Sequence, residues 1–159
     1  MTTGRGFGGS FVEDGASVSV VLSSVLDNET AGGFTAGNND LVFASGNEND
    51  PDGWKQVDNK TYKVPAGKAG RYLLVCNCSG EQADANSTLI VEIKVGGVVV
   101  GSGNDDRDNA AASRYVSVTA LVDLVVGDDV TVTYYMTDVM GTTHVQRLAI
   151  QQLAQIVLT

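Results

Sequence analysis

The side chains that could carry out catalysis are few in this chain. Serine and cysteine nucleophiles normally need a histidine base, and the only histidine is His144, in the polar segment DVMGTTHVQR. That setting is typical of a surface loop. Asp128 and Asp129 are neighbouring carboxylates, but neighbours on a turn point apart, which disfavours a general acid–base pair. The sequence therefore predicts no catalytic residues and no enzymatic activity.

Candidate metal ligands are more numerous but poorly spaced. Cys76 and Cys78 would share one face of a strand at positions about 7 Å apart, which disfavours a disulfide and predicts reduced, partly buried thiols. A zinc site would need more ligands than His144 adds. Segments 47–53 (NENDPDG) and 104–108 (NDDRD) are dense in calcium-type oxygen ligands without EF-hand spacing. Solvated acidic loops are the favoured interpretation, calcium is the alternative, and no metal or cofactor is predicted.

The charge balance and the absence of long apolar runs bear on the partners. The chain has 19 acidic and 10 basic residues and a net charge of −9. Nucleic-acid binding needs clustered Lys and Arg, so this balance predicts no nucleic-acid partner. No apolar run approaches the roughly 18 residues of a membrane-spanning helix, so no membrane partner is predicted. The N-terminal segment lacks the apolar stretch of a secretion signal, which favours synthesis in a cytoplasm.

The composition favours a protein built from many short strands. Valine, threonine and isoleucine occupy 41 of 159 positions and glycine a further 19, which suits strands and turns rather than a helix bundle. Gly96-Gly97 carries a two-residue hairpin signal. We expect roughly eight to ten strands in an all-β, antiparallel, two-sheet sandwich or jelly roll, with a polar loop at 104–113. The predicted strands lie at 17–22, 41–44, 54–57, 61–64, 70–79, 87–95, 98–101, 115–126 and 130–137.

The C-terminal segment, residues 144–159, has two interpretations. Ala149, Ile150 and Leu153 fit the apolar stripe of a helix, whereas the apolar ending suits a buried strand. The local pattern alone leaves both open.

The N-terminal segment, residues 1–15, is predicted to be a flexible glycine-rich arm. It carries Arg5, Phe7 and Phe11, which could anchor the arm on a partner. The alternative is a disordered tail. The folded domain is then expected to span residues 16–159.

Several short motifs occur in an order that resembles a known family. Trp54 and the segment 61–75 resemble the aromatic and strand entry of the trimeric jelly rolls of the complement globular head and tumour necrosis factor. Segment 89–100 is similar to that superfamily's strand–turn–strand element. Segment 117–135 resembles its Leu-x-Leu-x-x-Gly-Asp-x-Val signature, and 153–159 its closing central strand. No collagen-like Gly-X-Y repeat is present, which favours the bacteriophage members.

The resemblance implies a homotrimer and makes a strand the expected form of the last segment. Tyrosine suits surfaces that are partly apolar and partly polar, so tyrosines are the candidates for the threefold interface. The candidates are Tyr62, Tyr115, Tyr134 and Tyr135.

The function expected from this set of features is structural. A trimer would bind the outer surface of a bacteriophage capsid as a decoration (cement) protein, with the major capsid protein as partner and residues 1–15 clamping neighbouring subunits. It would be made in the host cytoplasm and found in the virion. The alternative is a receptor-binding or fibre-tip module, with loops such as 50–54 and 104–114 recognising a host glycan or protein. Trp54 could then stack on sugar, but the resemblance places an aromatic residue there for packing, so a core position is expected for Trp54.

Overall fold

Alternating apolar and polar residues form strands along most of the described chain. The computed structural model describes residues 24–32, 35–44, 48–80, 88–106, 114–137 and 143–153. Within these ranges there are ten strands and no helix. The described residues accordingly include no helix that is long and apolar enough to cross a membrane. The strands are β1 (Ser24–Gly32), β2 (Gly37–Asp40), β3 (Glu48–Asn49), β4 (Thr61–Lys63), β5 (Gly70–Gly80), β6 (Thr88–Val95), β7 (Val98–Asp106), β8 (Arg114–Leu124), β9 (Asp129–Met136) and β10 (Thr143–Gln152).

The strands form two antiparallel sheets packed face to face. Sheet A has the order β3-β1-β10-β5-β8, and sheet B has the order β2-β9-β6-β7 with β4 also paired to β9. The predicted all-β, two-sheet jelly roll is confirmed. Gly96 and Gly97 form the predicted hairpin between β6 and β7, and both have positive φ angles, 56° and 82°, which a tight primed turn requires.

The core lies between the sheets and is built from every second residue of the long strands. The inward side chains of β5 and β8 have the predicted alternation, as do those of β9. Trp54 is fully buried and packs edge-on against Tyr72, with ring centroids 5.2 Å apart. The expectation that Trp54 packs in the core is confirmed, and it has no surface on which a sugar could stack.

The structure corrects several predicted boundaries. Residues 41–44 are not a strand, because the pairing with β9 is made by the preceding polar residues of β2. Residues 54–57 contribute only an isolated bridge, from Lys55 to Tyr62. The polar loop expected from residue 104 begins later, since β7 pairs with β6 as far as Asp106. The predicted strand at 17–22 lies outside the described residues.

The ambiguous C-terminal segment is a strand, as the resemblance implied. β10 runs along residues 143–152 and lies between β1 and β5 in the centre of sheet A. Its inward residues Leu148 and Ile150 are completely buried. Its backbone pairs with β1 on one side and β5 on the other, and a helix of the same sequence would leave the facing backbone groups of β1 and β5 without these partners. Residues 154–159 lie outside the described part.

Glycines allow the edge strands of the two sheets to approach. A Cβ on Gly103 of β7 would lie 3.1 Å from the backbone oxygen of Ser117 and 3.1 Å from Cγ1 of Val116, both on β8. Gly101 is similarly close to Val118. These two residues therefore let β7 close the open side of the sandwich against β8.

We expect Gly103→Ala to lower the free energy of unfolding by about 1–3 kcal/mol, because the added methyl group meets backbone and β-branched atoms. Urea unfolding followed by circular dichroism measures the change. Ser102→Ala, at the exposed neighbouring position, is the matched control and should change stability by no more than about 0.5 kcal/mol. Equal effects of the two substitutions would contradict close packing at Gly103.

Candidate interaction surfaces

The residues singled out for catalysis serve local structure. Asp128 accepts a hydrogen bond from the backbone N–H of Val125 at 2.9 Å, which closes the turn before β9. Asp129 forms an ion pair with Lys63 at 3.0 Å, so the two neighbouring carboxylates have different partners. His144 pairs through its backbone with Ala31 and Gly80 in the middle of sheet A, not in a loop.

The acidic segments use their carboxylates within the protein. Asp50 accepts hydrogen bonds from the backbone N–H groups of Trp54 (2.9 Å) and Lys55 (2.7 Å), and Asp52 pairs with Lys68 at 2.8 Å. In the described ranges no three His, Cys, Asp or Glu side chains are grouped so that they could hold a metal ion. Because internal donors already occupy these oxygens, the arrangement favours structured turns over a calcium site.

The two cysteines lie in the core and not at a reactive surface. Cys76 and Cys78 are both buried on the inward face of β5, as expected, with their sulfur atoms 3.8 Å apart. The contact with Cys76, together with burial, raises the pKa of the Cys78 thiol. Cys78 is therefore a poor nucleophile near neutral pH, and both buried side chains serve as packing in the core.

A buried charge network joins β1 to the loop between β3 and β4. Asp27 is fully buried, and its Oδ2 accepts a hydrogen bond from the hydroxyl of Tyr62 at 2.6 Å. The same oxygen lies 2.9 Å from Nζ of Lys55, which is 2.7 Å from Oε2 of Glu48. Burial and the contact with Asp27 raise the pKa of Tyr62. Burial alone would lower the pKa of Lys55, but its bonds to Glu48 and Asp27 outweigh burial and raise it.

A second buried ion pair holds the ends of β7 and β8 together. Arg114 is completely buried and its guanidinium lies 3.3 Å from Oδ1 of Asp105. The other oxygen of Asp105 accepts the backbone N–H of Tyr115 at 3.0 Å. These contacts therefore hold the end of β7 against the start of β8, on either side of the connection 107–113. The sequence interpretation had assigned Asp105 to a solvated loop, which is wrong because strand pairing carries it inside.

The four tyrosines proposed for a threefold interface have different surroundings. Tyr62 and Tyr134 are buried inside the sandwich, with exposures of 0% and 8%, so their side chains contact this chain's own core. The interface assignment stays a prediction, and these two buried side chains offer little surface for it. Tyr115 is 62% exposed on the outer face of sheet A. Tyr135 is half-buried on the outer face of sheet B.

The outer face of sheet A has a cluster of exposed apolar side chains among polar ones. Leu121 is 59% exposed and lies opposite Leu73 in the β5–β8 ladder, and Val75 lies opposite Ala149 in the β5–β10 ladder. A shallow groove of about 300 Å³ adjoins these residues and runs across β5, between β8 and β10. This surface, called the apolar face below, consists of Leu26, Leu73, Val75, Tyr115, Leu121, Val145 and Ala149.

The outer face of sheet B has a different character. Its central strands present threonines and a closed ion pair, with Nζ of Lys94 3.1 Å from Oε2 of Glu92. Asp40 on the flanking β2 is paired with Lys60 at 2.7 Å. The outer face of sheet B thus presents ion pairs and threonines around Ile90 and Tyr135, whereas that of sheet A presents the apolar cluster together with the exposed Arg71–Asp123 pair.

The apolar face was missed by the sequence interpretation, although a signal was present. Ser117, Thr119 and Asp123 make one side of β8 polar in the sequence, and Leu121 falls on that same side. An apolar residue on the outward positions of a strand, matched by Leu73 across the ladder, is the pattern that could have revealed it. The arm residues Arg5, Phe7 and Phe11 lie outside the described residues.

The fold was compared with known proteins. No protein-family model and no curated protein matches the sequence, but 149 solved chains match in structure. The globular domain of zebrafish complement 1qA protein is similar with a TM-score of 0.54 at 19% identity, over 80% of this chain and 94% of that chain. Murine APRIL is similar with a TM-score of 0.54 at 11% identity, over 84% of this chain and 100% of that chain. At these identities the likeness establishes the fold, the jelly roll of the C1q and tumour-necrosis-factor type.

Proposed function

We propose that the chain is one subunit of a homotrimer that associates through the apolar face of sheet A. The observation that carries this proposal is the set of paired, exposed apolar side chains on that face, such as Leu121 and Leu73. A contiguous apolar surface of this kind on a folded domain is typical of a protein–protein interface. The fold likeness supports the same assembly, since the superfamily that the sequence resembles is trimeric.

Size-exclusion chromatography with light scattering at micromolar concentration tests the assembly. We expect a mass near three times 16.6 kDa, about 50 kDa. Leu121→Glu should give a folded monomer, because it places three carboxylates in the apolar contact. Thr131→Glu, on the outer face of sheet B, is the matched control and should remain trimeric. A wild-type monomer, or a trimer that tolerates Leu121→Glu, would contradict the proposal.

We propose further that this trimer is a bacteriophage virion protein that decorates the outer capsid surface. The charge of −9 per chain, about −27 per trimer, favours a soluble, outward-facing component. Three arms, residues 1–15 with Phe7 and Phe11 as anchors, would each reach a neighbouring capsid subunit, so that avidity holds the trimer on the shell. Such cross-linking would stabilise the shell against the pressure of packaged DNA.

Co-sedimentation with purified capsid shells of the encoding phage tests the capsid role. The intact protein should sediment with the shells, and deletion of residues 1–15 should abolish binding while leaving the trimer intact by light scattering. Failure of the intact protein to bind contradicts the capsid role. Full binding after the deletion contradicts only the arm mechanism, because the globular domain would then make the contact.

A further inference from the structure

The polar outer face of sheet B contains a groove. Its larger part, about 560 Å³, lies among β2, β9 and β6 and is lined by Asn38, Asn39, Asp40, Lys94 and Thr133. A smaller depression of about 130 Å³ shares Asn38 and Thr133 with it and extends to Ile90, Glu92 and Tyr135. Together they form one continuous feature, called the sheet B groove below. Its size falls within the range of roughly 300–1,000 Å³ typical of small-ligand sites.

The strand register sets the groove residues in two rows on a rigid surface. In one row Asn38, Tyr135 and Ile90 lie opposite one another on β2, β9 and β6. In the next row Asp40, Thr133 and Glu92 occupy the same three strands. Adjacent strands are about 4.8 Å apart, so each row spans roughly 10 Å. Side chains held in this way need little reordering to meet a ligand.

The electrostatics of the groove favour an uncharged ligand. Each carboxylate already has a cation: Glu92 lies 3.1 Å from Lys94, and Asp40 lies 2.7 Å from Lys60. These pairs offer no net charge to bind an ion. The chain as a whole has a charge of −9, which disfavours an anionic ligand.

The groove is lined by hydrogen-bonding groups beside one aromatic ring. An amide, a hydroxyl and a carboxylate (Asn38, Thr133 and Glu92) provide both donors and acceptors. The Thr133 hydroxyl lies 3.5 Å from Oε2 of Glu92, the same oxygen that faces Lys94, so a ligand hydroxyl would meet Glu92 at its other oxygen, Oε1. Tyr135 is half-buried with Ile90 beside it, which leaves an apolar ring surface next to polar groups. A sugar ring has the complementary composition, with C–H groups on its faces and hydroxyl groups at its edge.

We propose that the sheet B groove binds a neutral oligosaccharide. Tyr135 provides the surface on which one sugar ring stacks, and Asn38, Thr133 and Glu92 bond to its hydroxyl groups. The inference does not rest on the capsid role. If the trimer forms through the apolar face, the three grooves remain exposed and can bind a repeated glycan with avidity.

Saturation-transfer NMR on the full chain tests the proposal with maltohexaose, cellohexaose, chitohexaose and laminarihexaose at about 5 mM each, a concentration suited to weak affinities. At least one of them should receive saturation. Tyr135→Ala should weaken its binding by at least about tenfold, and Asn38→Ala by a smaller factor. Tyr135→Phe retains the ring and should stay within about threefold of wild type.

Two comparisons make the result specific. Val57→Ala removes an exposed apolar side chain that lies outside both the groove and the apolar face, and it should leave glycan binding unchanged. Anionic hyaluronan hexasaccharide should bind more weakly than the neutral glycan. No saturation of any of the four neutral glycans, binding that Tyr135→Ala and Asn38→Ala leave intact, or a preference for hyaluronan would each overturn the proposal.

Discussion

Replacing Arg114 by methionine should lower the free energy of unfolding by about 3–5 kcal/mol. Arg114 is completely buried, and its guanidinium is 3.3 Å from Asp105, itself only 6% exposed. Methionine fills much of the same volume but leaves the carboxylate buried without its countercharge. Urea unfolding at a fixed protein concentration measures the loss, since assembly makes the apparent stability depend on concentration.

Two further variants separate the charge effect from packing. Lys63→Met removes the cation of an exposed pair with Asp129 and should cost no more than about 1 kcal/mol. Adding Asp105→Asn to Arg114→Met should recover part of the loss, because the amide oxygen can still accept the backbone N–H of Tyr115. If Arg114→Met alone lowers the free energy of unfolding by less than about 1 kcal/mol, the ion pair is not needed for stability.

The stability of the protein should fall steeply above about pH 10, and Tyr62 should account for much of the fall. The pKa of Tyr62 is raised from its ordinary value of 10.0, first by burial and then by the carboxylate of Asp27. The folded protein therefore keeps a proton that the unfolded chain releases as the pH rises through 10. Stability is fully present below that pH and then declines by about 1.4 kcal/mol per pH unit for this group. Lys55, whose pKa is also raised, acts in the same direction.

Urea unfolding at several pH values between 8 and 12 tests this expectation. Tyr62→Phe should be less stable at pH 8, because the hydrogen bond to Asp27 is lost, but its stability should decline less steeply above pH 10. Val132→Ala is the control, a buried substitution without a titrating group, and should lower stability without changing the slope. If the free energy of unfolding falls with pH at the same slope in wild type and in Tyr62→Phe, ionisation of Tyr62 is not the cause of the loss of stability above pH 10.

Much of the fold could be predicted because its strongest signals are local. Val116 and Val118 alternate with the polar Ser117 and Thr119, and Gly96-Gly97 is a hairpin turn whose chemistry depends on the two residues themselves. By contrast, β2 has the sequence GNND, and its strand form depends on pairing with β9, nearly 100 residues away. No local pattern contains that information.

The candidate surfaces were predicted less well for a similar reason. Tyr62 and Tyr134 have the residue type of an interface, but the sheet packing turns both inward. The sheet B groove brings Asn38 beside Glu92 only through the intervening strand β9. Residue type can nominate a surface, whereas strand order decides which residues share it.

The central position of β10 has a consequence for the biosynthesis of the protein. β1 and β5 both pair with β10, which ends at residue 152, so neither gains that neighbour until a ribosome has made almost the whole described chain. Sheet A is therefore completed only once β10 has left the ribosome, rather than strand by strand, and pairing over such sequence distances is slow. In that interval β1 and β5 present open edges to other nascent chains. The net charge of −9 keeps such chains apart, so it protects the protein before it has folded.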